Sequence, residues 1–190
     1  MKRLLSRCLP VLLLASMPAA AEKNDAFQPT RINCRSCDAN GLSGIMTMSG
    51  GVDLTRGTLR IDADSGRVEQ SPEGYQRVTL EADPGKKVRF RQKGDGPGEQ
   101  WMDGEARRIE YDERSATVKL FSAAKMQRTI DGRPSQQAEG EYISYDSRTE
   151  VFTLRNTNTG EDRPGAGRNT IILQPRRSAP AQAAAGAGTP

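Results

Sequence analysis

The alternation of apolar and polar residues with a period of two most restricts what this chain can fold into. Leu59, Ile61 and Ala63 alternate with charged residues, and similar runs surround Leu80 and Ile109. Alternation over about four to six residues is typical of a strand with one dry and one wet face. Beyond residue 21 no segment has a long helical period, and Gly and Pro separate the alternating runs. The sequence therefore predicts an all-β chain of stacked short strands.

A weak strand–turn–strand repeat underlies this alternation. Its copies begin at Ile61, Ile109 and Ile143, and each has two apolar residues two positions apart, followed by an Asp and a polar turn. Such a repeat predicts stacked hairpins that share one apolar face. Asp suits the end of a strand because its carboxylate bonds nearby amides, and a pair of catalytic carboxylates is the alternative. The three turns are expected at residues 65–67, 113–115 and 147–149.

The composition excludes several kinds of site. The chain has 190 residues and no His, so it has no Ser-His-Asp triad, no Cys-His pair and no His-ligated zinc. The formal charge is +4, but the basic excess lies in residues 1–21 and 174–190. Without these ends the charge is close to neutral, so we expect no nucleic-acid partner. We also expect no enzyme activity, no metal and no cofactor.

The first 21 residues have the three parts of a secretory signal peptide. A basic stretch with Lys2, Arg3 and Arg7 precedes a short apolar run, and Ala19–Ala21 fits a cleavage site. An uncleaved membrane anchor is the alternative, but spanning a bilayer takes about 20 apolar residues, which this run lacks. The sequence therefore predicts a mature periplasmic protein that begins at Glu22.

The rest of the chain divides into three parts. Residues 22–30 are expected to form a flexible N-terminus, and residues 31–173 to form the β domain. Residues 174–190 are rich in Ala, Gly and Pro, and cannot bury enough apolar surface to become ordered. We expect this tail to be disordered.

Cys34 and Cys37 form a Cys-x-x-Cys motif near the start of the β domain. A turn signal at Asp38–Gly41 follows them where a redox protein of the thioredoxin type has a helix. In a straight strand these residues lie about 10 Å apart, so a disulfide would need a tight turn. Two small apolar side chains in a strand are the favoured interpretation, and a redox protein is the alternative.

Several segments resemble a known family. Ser49–Asp64 is similar to the signature of the OstA-like (LptA) periplasmic proteins of lipopolysaccharide transport, although Gly51 and Arg56 replace its usual Asn and Gln. Four further segments match that family in the same order along the chain, over roughly residues 31–155. They start at Ile32, Val88, Gly104 and Gly140.

The resemblance implies a fold and a function. The family fold is a twisted, open-ended β-jellyroll, and its members carry lipopolysaccharide between the inner and outer membranes, with the acyl chains of lipid A in an apolar groove. It implies partners as well: LptC-like and LptD-like jellyroll proteins at the two membranes, and head-to-tail copies of this chain. A ligand-free periplasmic β-scaffold and the membrane-anchored inner-membrane partner of the same pathway are the alternatives.

The groove residues follow from two sources. The family motifs indicate Ile32, Cys34, Phe90 and Tyr111. Alternation adds residues that are equally consistent with an ordinary core: Met46, Met48, Val52, Leu54, Leu59, Ile61, Ile109, Leu120, Ile143 and Tyr145.

The signal peptide makes a testable prediction. We expect the protein recovered from a periplasmic extract to begin at Glu22, because the small residues Ala19 and Ala21 stand three positions and one position before the predicted cleavage. N-terminal sequencing and intact mass measurement check this. An intact chain beginning at Met1 in the membrane fraction would contradict it and favour the anchored alternative.

Overall fold

The described part of the chain forms eleven β-strands, and the all-β prediction is confirmed. The computed structural model describes residue 25 and residues 27–175, so the predicted signal peptide and most of the predicted tail lie outside the described residues. Within that part of the chain, no helix is long and apolar enough to cross a membrane. The strands are β1 (Arg31–Asn40), β2 (Ile45–Arg56), β3 (Leu59–Gln70), β4 (Gln76–Glu81), β5 (Val88–Lys93), β6 (Gln100–Ala106), β7 (Arg108–Asp112), β8 (Thr117–Ile130), β9 (Arg133–Asp146), β10 (Val151–Arg155) and β11 (Thr170–Leu173).

All strands pair antiparallel in one sheet that is folded into two arms. In arm I the neighbours run β1-β2-β3-β4-β7-β8-β9-β10, and in arm II they run β1-β2-β3-β5-β6-β8-β9-β11. The five long strands belong to both arms, because one half of each pairs in arm I and the other half in arm II. The line along which these strands pass from one arm to the other is called the fold line. The opposite edge, where the outer ends of the two arms meet, is called the mouth.

The inward-facing positions change phase at the fold line. In β3, Ala63 faces the interior of arm II, whereas Gly66 and Val68 face that of arm I, a step of three residues. The partner strand β2 accommodates the step with a bulge at Gly50–Gly51, whose φ angles of 79° and 95° favour glycine. β8 has an equivalent bulge at Ser122–Ala123.

This phase change corrects one predicted turn. Residues 65–67, expected to be a turn, lie inside the continuous strand β3, where it passes from arm II to arm I. The polar residues there mark the fold line, where inward and outward positions exchange. The turns predicted at residues 113–115 and 147–149 are confirmed, since each joins two paired strands.

The same geometry corrects the interpretation of the cysteines. β1 has a register shift between Cys34 and Ser36, so it is not straight at this point. The Cα atoms of Cys34 and Cys37 are only 6.0 Å apart, and a disulfide joins them. The expected separation of about 10 Å applied to a straight strand. A bulge, and not a tight turn, brings the two residues together.

The inner faces of the two arms pack against each other to form the core. Leu54, Ile61, Leu80 and Leu120 are completely buried, and they come from both arms. The contact is close, because a Cβ atom on Gly104 of arm II would lie 3.0 Å from Leu120 Cδ2 of arm I. The dry face predicted by alternation is therefore covered by the sheet itself.

Gly66 provides a test of the position of the fold line. A Cβ atom there would lie 2.6 Å from Leu80 Cδ2 and 3.1 Å from the Thr79 carbonyl oxygen. We expect Gly66→Ala to lower the free energy of unfolding by about 1–3 kcal/mol, because the packed interior has no room for the methyl group. Urea unfolding measures the change.

Gly41, in the turn between β1 and β2, is the matched control, because a Cβ atom there has no neighbour within 4 Å. Gly41→Ala should change the free energy of unfolding by less than about 0.5 kcal/mol. Equal stability of the two variants would mean that Gly66 lies in an open turn, as the sequence predicted.

Candidate functional site

The predicted groove residues all lie on the interior side of the sheet. Most are fully buried, and the others pack against the buried cluster from β1 and β2. Whether they contact lipid stays a prediction. The buried members are Met48, Val52, Leu54, Leu59, Ile61, Phe90, Ile109, Tyr111, Leu120, Ile143 and Tyr145, and the half-buried members are Ile32, Cys34 and Met46.

The interior is less covered at the two ends of the strand stack than in its middle. At one end Ile32, Cys34 and Met46 of β1 and β2 are only half-buried, although they pack on the core. At the other end Phe152 and Leu154 of β10 are half-buried in the same way. The apolar inner face therefore continues to both ends of the stack, where no further strand of the described chain covers it.

Charged side chains cross the mouth near β2. Arg56, at the outer end of β2 in arm II, forms an ion pair of 2.8 Å with Glu113 in arm I. Its guanidinium also donates to the Tyr111 hydroxyl at 3.2 Å and to the main-chain oxygen of Asp25 at 3.1 Å. Burial raises the pKa of Tyr111, and the positive charge of Arg56 opposes that shift. This network ties the two arms together.

Asp25 completes this end of the mouth. Its carboxylate accepts hydrogen bonds from the Thr58 amide at 2.8 Å, the Thr58 hydroxyl at 2.5 Å and Gln92 Nε2 at 3.2 Å. Asp25 is buried, although it belongs to the segment predicted to be a flexible N-terminus. Arg56, Asp25 and Gln92 are buried, and Thr58 and Glu113 are half-buried, so we interpret this bonded network as a seal of the mouth.

A second ion pair crosses the mouth near the C-terminal end of the stack. Arg128 of β8, in arm II, lies 3.2 Å from Glu150, which precedes β10 in arm I. Below this pair is a narrow crevice with a volume of only about 10 Å³. The residues that line it are Met102, Met126, Arg128, Gln136, Gln137, Ala138 and Phe152.

Sequence analysis missed these mouth residues for a physical reason. Arg56, Arg128, Glu113 and Glu150 occur among many other charged residues, and their partners are distant in sequence. Only Arg56 gave a signal, because it replaces the usual Gln of the family pattern.

The Asp residues of the repeat hold local structure. Asp146 accepts hydrogen bonds from the amides of Arg148 and Thr149, as predicted for a turn. A hydrogen bond from Lys86 lowers the pKa of Asp64. Burial alone would raise the pKa of Asp112, but hydrogen bonds from its neighbours hold it below its usual value. Among the described residues, no cluster of carboxylates or thiols is arranged to hold a metal ion.

Free strand edges lie at the two ends of the stack. Among the residues that the structure describes, β1 pairs only with β2, and at the other end β10 and β11 pair only with β9. The apolar side chains of β11 are unusually exposed, with 53% of Ile171 and 66% of Leu173 accessible to solvent. Free edges with exposed apolar residues favour the addition of a further strand.

Comparisons with known proteins agree with this architecture. The profile of a family described as LptA/(LptD N-terminal domain) LPS transport protein matches residues 31–151. A solved structure that matches is LptH from Pseudomonas aeruginosa, described as the LptA homologous periplasmic component of the lipopolysaccharide transport device. The TM-score is 0.67 at 22% identity, with 80% of this chain and 99% of LptH covered, which supports the fold. No curated protein matches the sequence significantly.

The family profile extends over more than half of the chain and includes strands β1–β9 and the mouth residues Arg56, Glu113, Arg128 and Glu150. It confirms the resemblance that the sequence motifs carried. The protein belongs to the LptA/LptD N-terminal domain family of lipopolysaccharide transport proteins.

Proposed function

We propose that this protein is a periplasmic bridge component that carries lipopolysaccharide from the inner to the outer membrane. The acyl chains of lipid A lie between the two arms, and the saccharide stays in water at the mouth. The observation that carries this proposal is the apolar inner face, which continues to both ends of the stack. Its exposed parts there are Ile32, Cys34 and Met46 at one end and Phe152 and Leu154 at the other.

This geometry suits a lipid that has to cross water. An acyl chain gains free energy wherever it is removed from water, at about 25 cal/mol for each Å² of apolar surface. A closed pocket would bind such a chain but would not pass it on. An inner face that is open at both ends passes the chain to the next protein without exposing it to water.

The free edges support a bridge of stacked copies. Within β1, Arg31–Cys34 pairs in arm II and Ser36–Asn40 pairs in arm I, with the bulge between them. At the other end β11, with 4 residues, lies in arm II and β10, with 5 residues, lies in arm I. The segments that would meet in a head-to-tail contact therefore have equal lengths.

The strand directions match as well. β1 and β9 both run from arm II to arm I, whereas β10 and then β11 run from arm I to arm II. β1 of a second copy would therefore add antiparallel to β10 and β11, which continues the pattern of the sheet. Because the two edges differ, the contact is open and propagates. LptC-like and LptD-like jellyroll proteins would occupy the two outer ends of the bridge by the same contact.

Lipid binding between the arms can be tested by photocrosslinking. A photoreactive amino acid at Phe152, on the inner face of β10, should crosslink to lipopolysaccharide, because that position borders the interior. The same amino acid at Thr153 should not, since neighbouring strand residues point to opposite faces. Delipidated protein mixed with lipopolysaccharide provides the readout.

Matching thermal unfolding of the two variants excludes a folding defect as the cause of a difference in crosslinking, since Phe152 packs on the core and Thr153 does not. Equal crosslinking at Phe152 and Thr153 would contradict binding between the arms. No crosslinking at either position would favour the ligand-free scaffold.

Head-to-tail association makes a separate prediction. The double substitution Ile171→Asp and Leu173→Asp should weaken self-association by at least about tenfold, because each side chain loses an apolar contact of roughly 1.5–3 kcal/mol. Sedimentation equilibrium over a range of concentrations measures this. The β11 variant keeps its β1 edge, so it should still bind one wild-type copy and stop further growth.

Tyr75→Asp is the control, because Tyr75 is also partly exposed but lies in the turn between β3 and β4, away from both free edges. It should leave association unchanged. Failure of the β11 variant to bind wild-type protein would indicate a symmetric contact between β11 edges and would contradict the head-to-tail arrangement.

A further inference from the structure

We propose that Arg128 binds the phosphate headgroup of the cargo at the mouth, and that Glu150 occupies this guanidinium until the lipid arrives. This inference rests on the proposed function, because it assigns the headgroup contact of the same lipid. Lipopolysaccharide is a phosphorylated glycolipid, and the phosphates lie between its acyl chains and its outer saccharide. A phosphate therefore has to be placed at the border between the dry interior and water, which is where Arg128 lies.

The surroundings of Arg128 form an amphipathic site. Met102, Met126, Ala138 and Phe152 line the cavity below it, and they come from both arms. Methionine and aromatic side chains form adaptable apolar surfaces that suit alkyl chains. The guanidinium is at the rim of this cavity, with 19% of the side chain exposed. An acyl chain that enters between these side chains, once the arms separate here, would thus have its anionic headgroup beside Arg128.

The ion pair with Glu150 can be exchanged for a phosphate. The arginine makes one contact of 3.2 Å with this carboxylate, and 31% of the Glu150 side chain is exposed. Guanidinium groups bind phosphate through two parallel hydrogen bonds, which are stronger than a single contact to a carboxylate. A phosphate at the mouth would therefore displace Glu150 into water.

Displacement of Glu150 would also open the space that the lipid needs. The cavity has room for only about 10 Å³, whereas ligand sites commonly have about 300–1,000 Å³, so it is closed to an acyl chain as it stands. The Arg128–Glu150 pair joins the two arms directly above it. Release of the pair allows the arms to separate at this point, so headgroup binding and acyl-chain insertion assist each other.

Arg56 is less suited to this role, although it occupies an equivalent position near β2. Its guanidinium is tied to Glu113, Tyr111 and the main chain of Asp25, and it is almost completely buried. An anion could reach Arg56 only by breaking the whole network. The two mouth pairs therefore have different roles: the pair at β2 seals, and the pair at β8 opens.

The test measures the ratio of affinities for two probes, lipid A and enzymatically dephosphorylated lipid A. Delipidated full-length protein is titrated calorimetrically with each lipid in the same detergent. Arg128→Gln should reduce the preference for phosphorylated lipid about tenfold, the loss typical of a charge-assisted hydrogen bond. Glu150→Gln should increase that preference severalfold, because it frees the guanidinium. Arg128→Lys should keep part of the preference for phosphorylated lipid that Arg128→Gln loses.

The opposite changes in lipid preference expected for Arg128→Gln and Glu150→Gln distinguish a headgroup site from a purely structural ion pair. If the pair only joined the arms, both Gln variants would change the affinities for both lipids equally, and the ratio would stay constant. Such a constant ratio would overturn the proposal. Inorganic phosphate should not compete at millimolar concentration, because it lacks the acyl chain that positions the headgroup, and competition would identify a general anion site instead.

Lys125 and Glu139 supply the matched controls. They form an ion pair of 3.1 Å between β8 and β9, the strands that also border Arg128, but on the outer face of the sheet. Lys125→Gln and Glu139→Gln should leave the affinity ratio unchanged. Wild-type protein that binds neither lipid would contradict the proposed function, whereas equal binding of both lipids would contradict the headgroup site alone.

Discussion

The packing of the two arms against each other across one fold line is the interaction on which the rest of the structure depends. A sheet with a single apolar face has to cover that face, and this chain does so by bending its own long strands. Each arm covers the other arm, but neither covers the ends of the stack, so in the described chain the first and last strands each have a neighbour on one side only. Open ends of the interior and free strand edges are therefore two results of the same bend.

The sequence predicted what depends on local alternation. Within one arm, apolar residues two positions apart face the interior, which is why Leu59, Ile61, Ile109 and Ile143 were assigned correctly to the dry face. The alternation fails where a strand crosses between the arms. There the inward phase shifts by one residue, and Ser65–Arg67 has the composition of a turn although it continues the strand.

Features that depend on contacts between distant residues could not be predicted in the same way. The bulge that brings Cys34 close to Cys37 is a property of how β1 pairs with β2, and no local pattern encodes it. The burial of Asp25 depends on Thr58 and Gln92, which lie in other elements. The mouth ion pairs are likewise set by the distance between the arms, so the sequence defined the lining of the interior but not its boundary.

The boundary is charged, and this matches a cargo that has to be taken up and released. A partly exposed ion pair contributes only about 0–1 kcal/mol to stability, whereas a buried leucine at the same place would contribute about 1.5–3 kcal/mol. An apolar closure would hold the arms together more strongly and would compete with the acyl chains for the interior. The Arg128–Glu150 pair holds the arms weakly and keeps polar groups at the rim. A mouth of this kind separates the acyl chains from the saccharide without trapping the lipid.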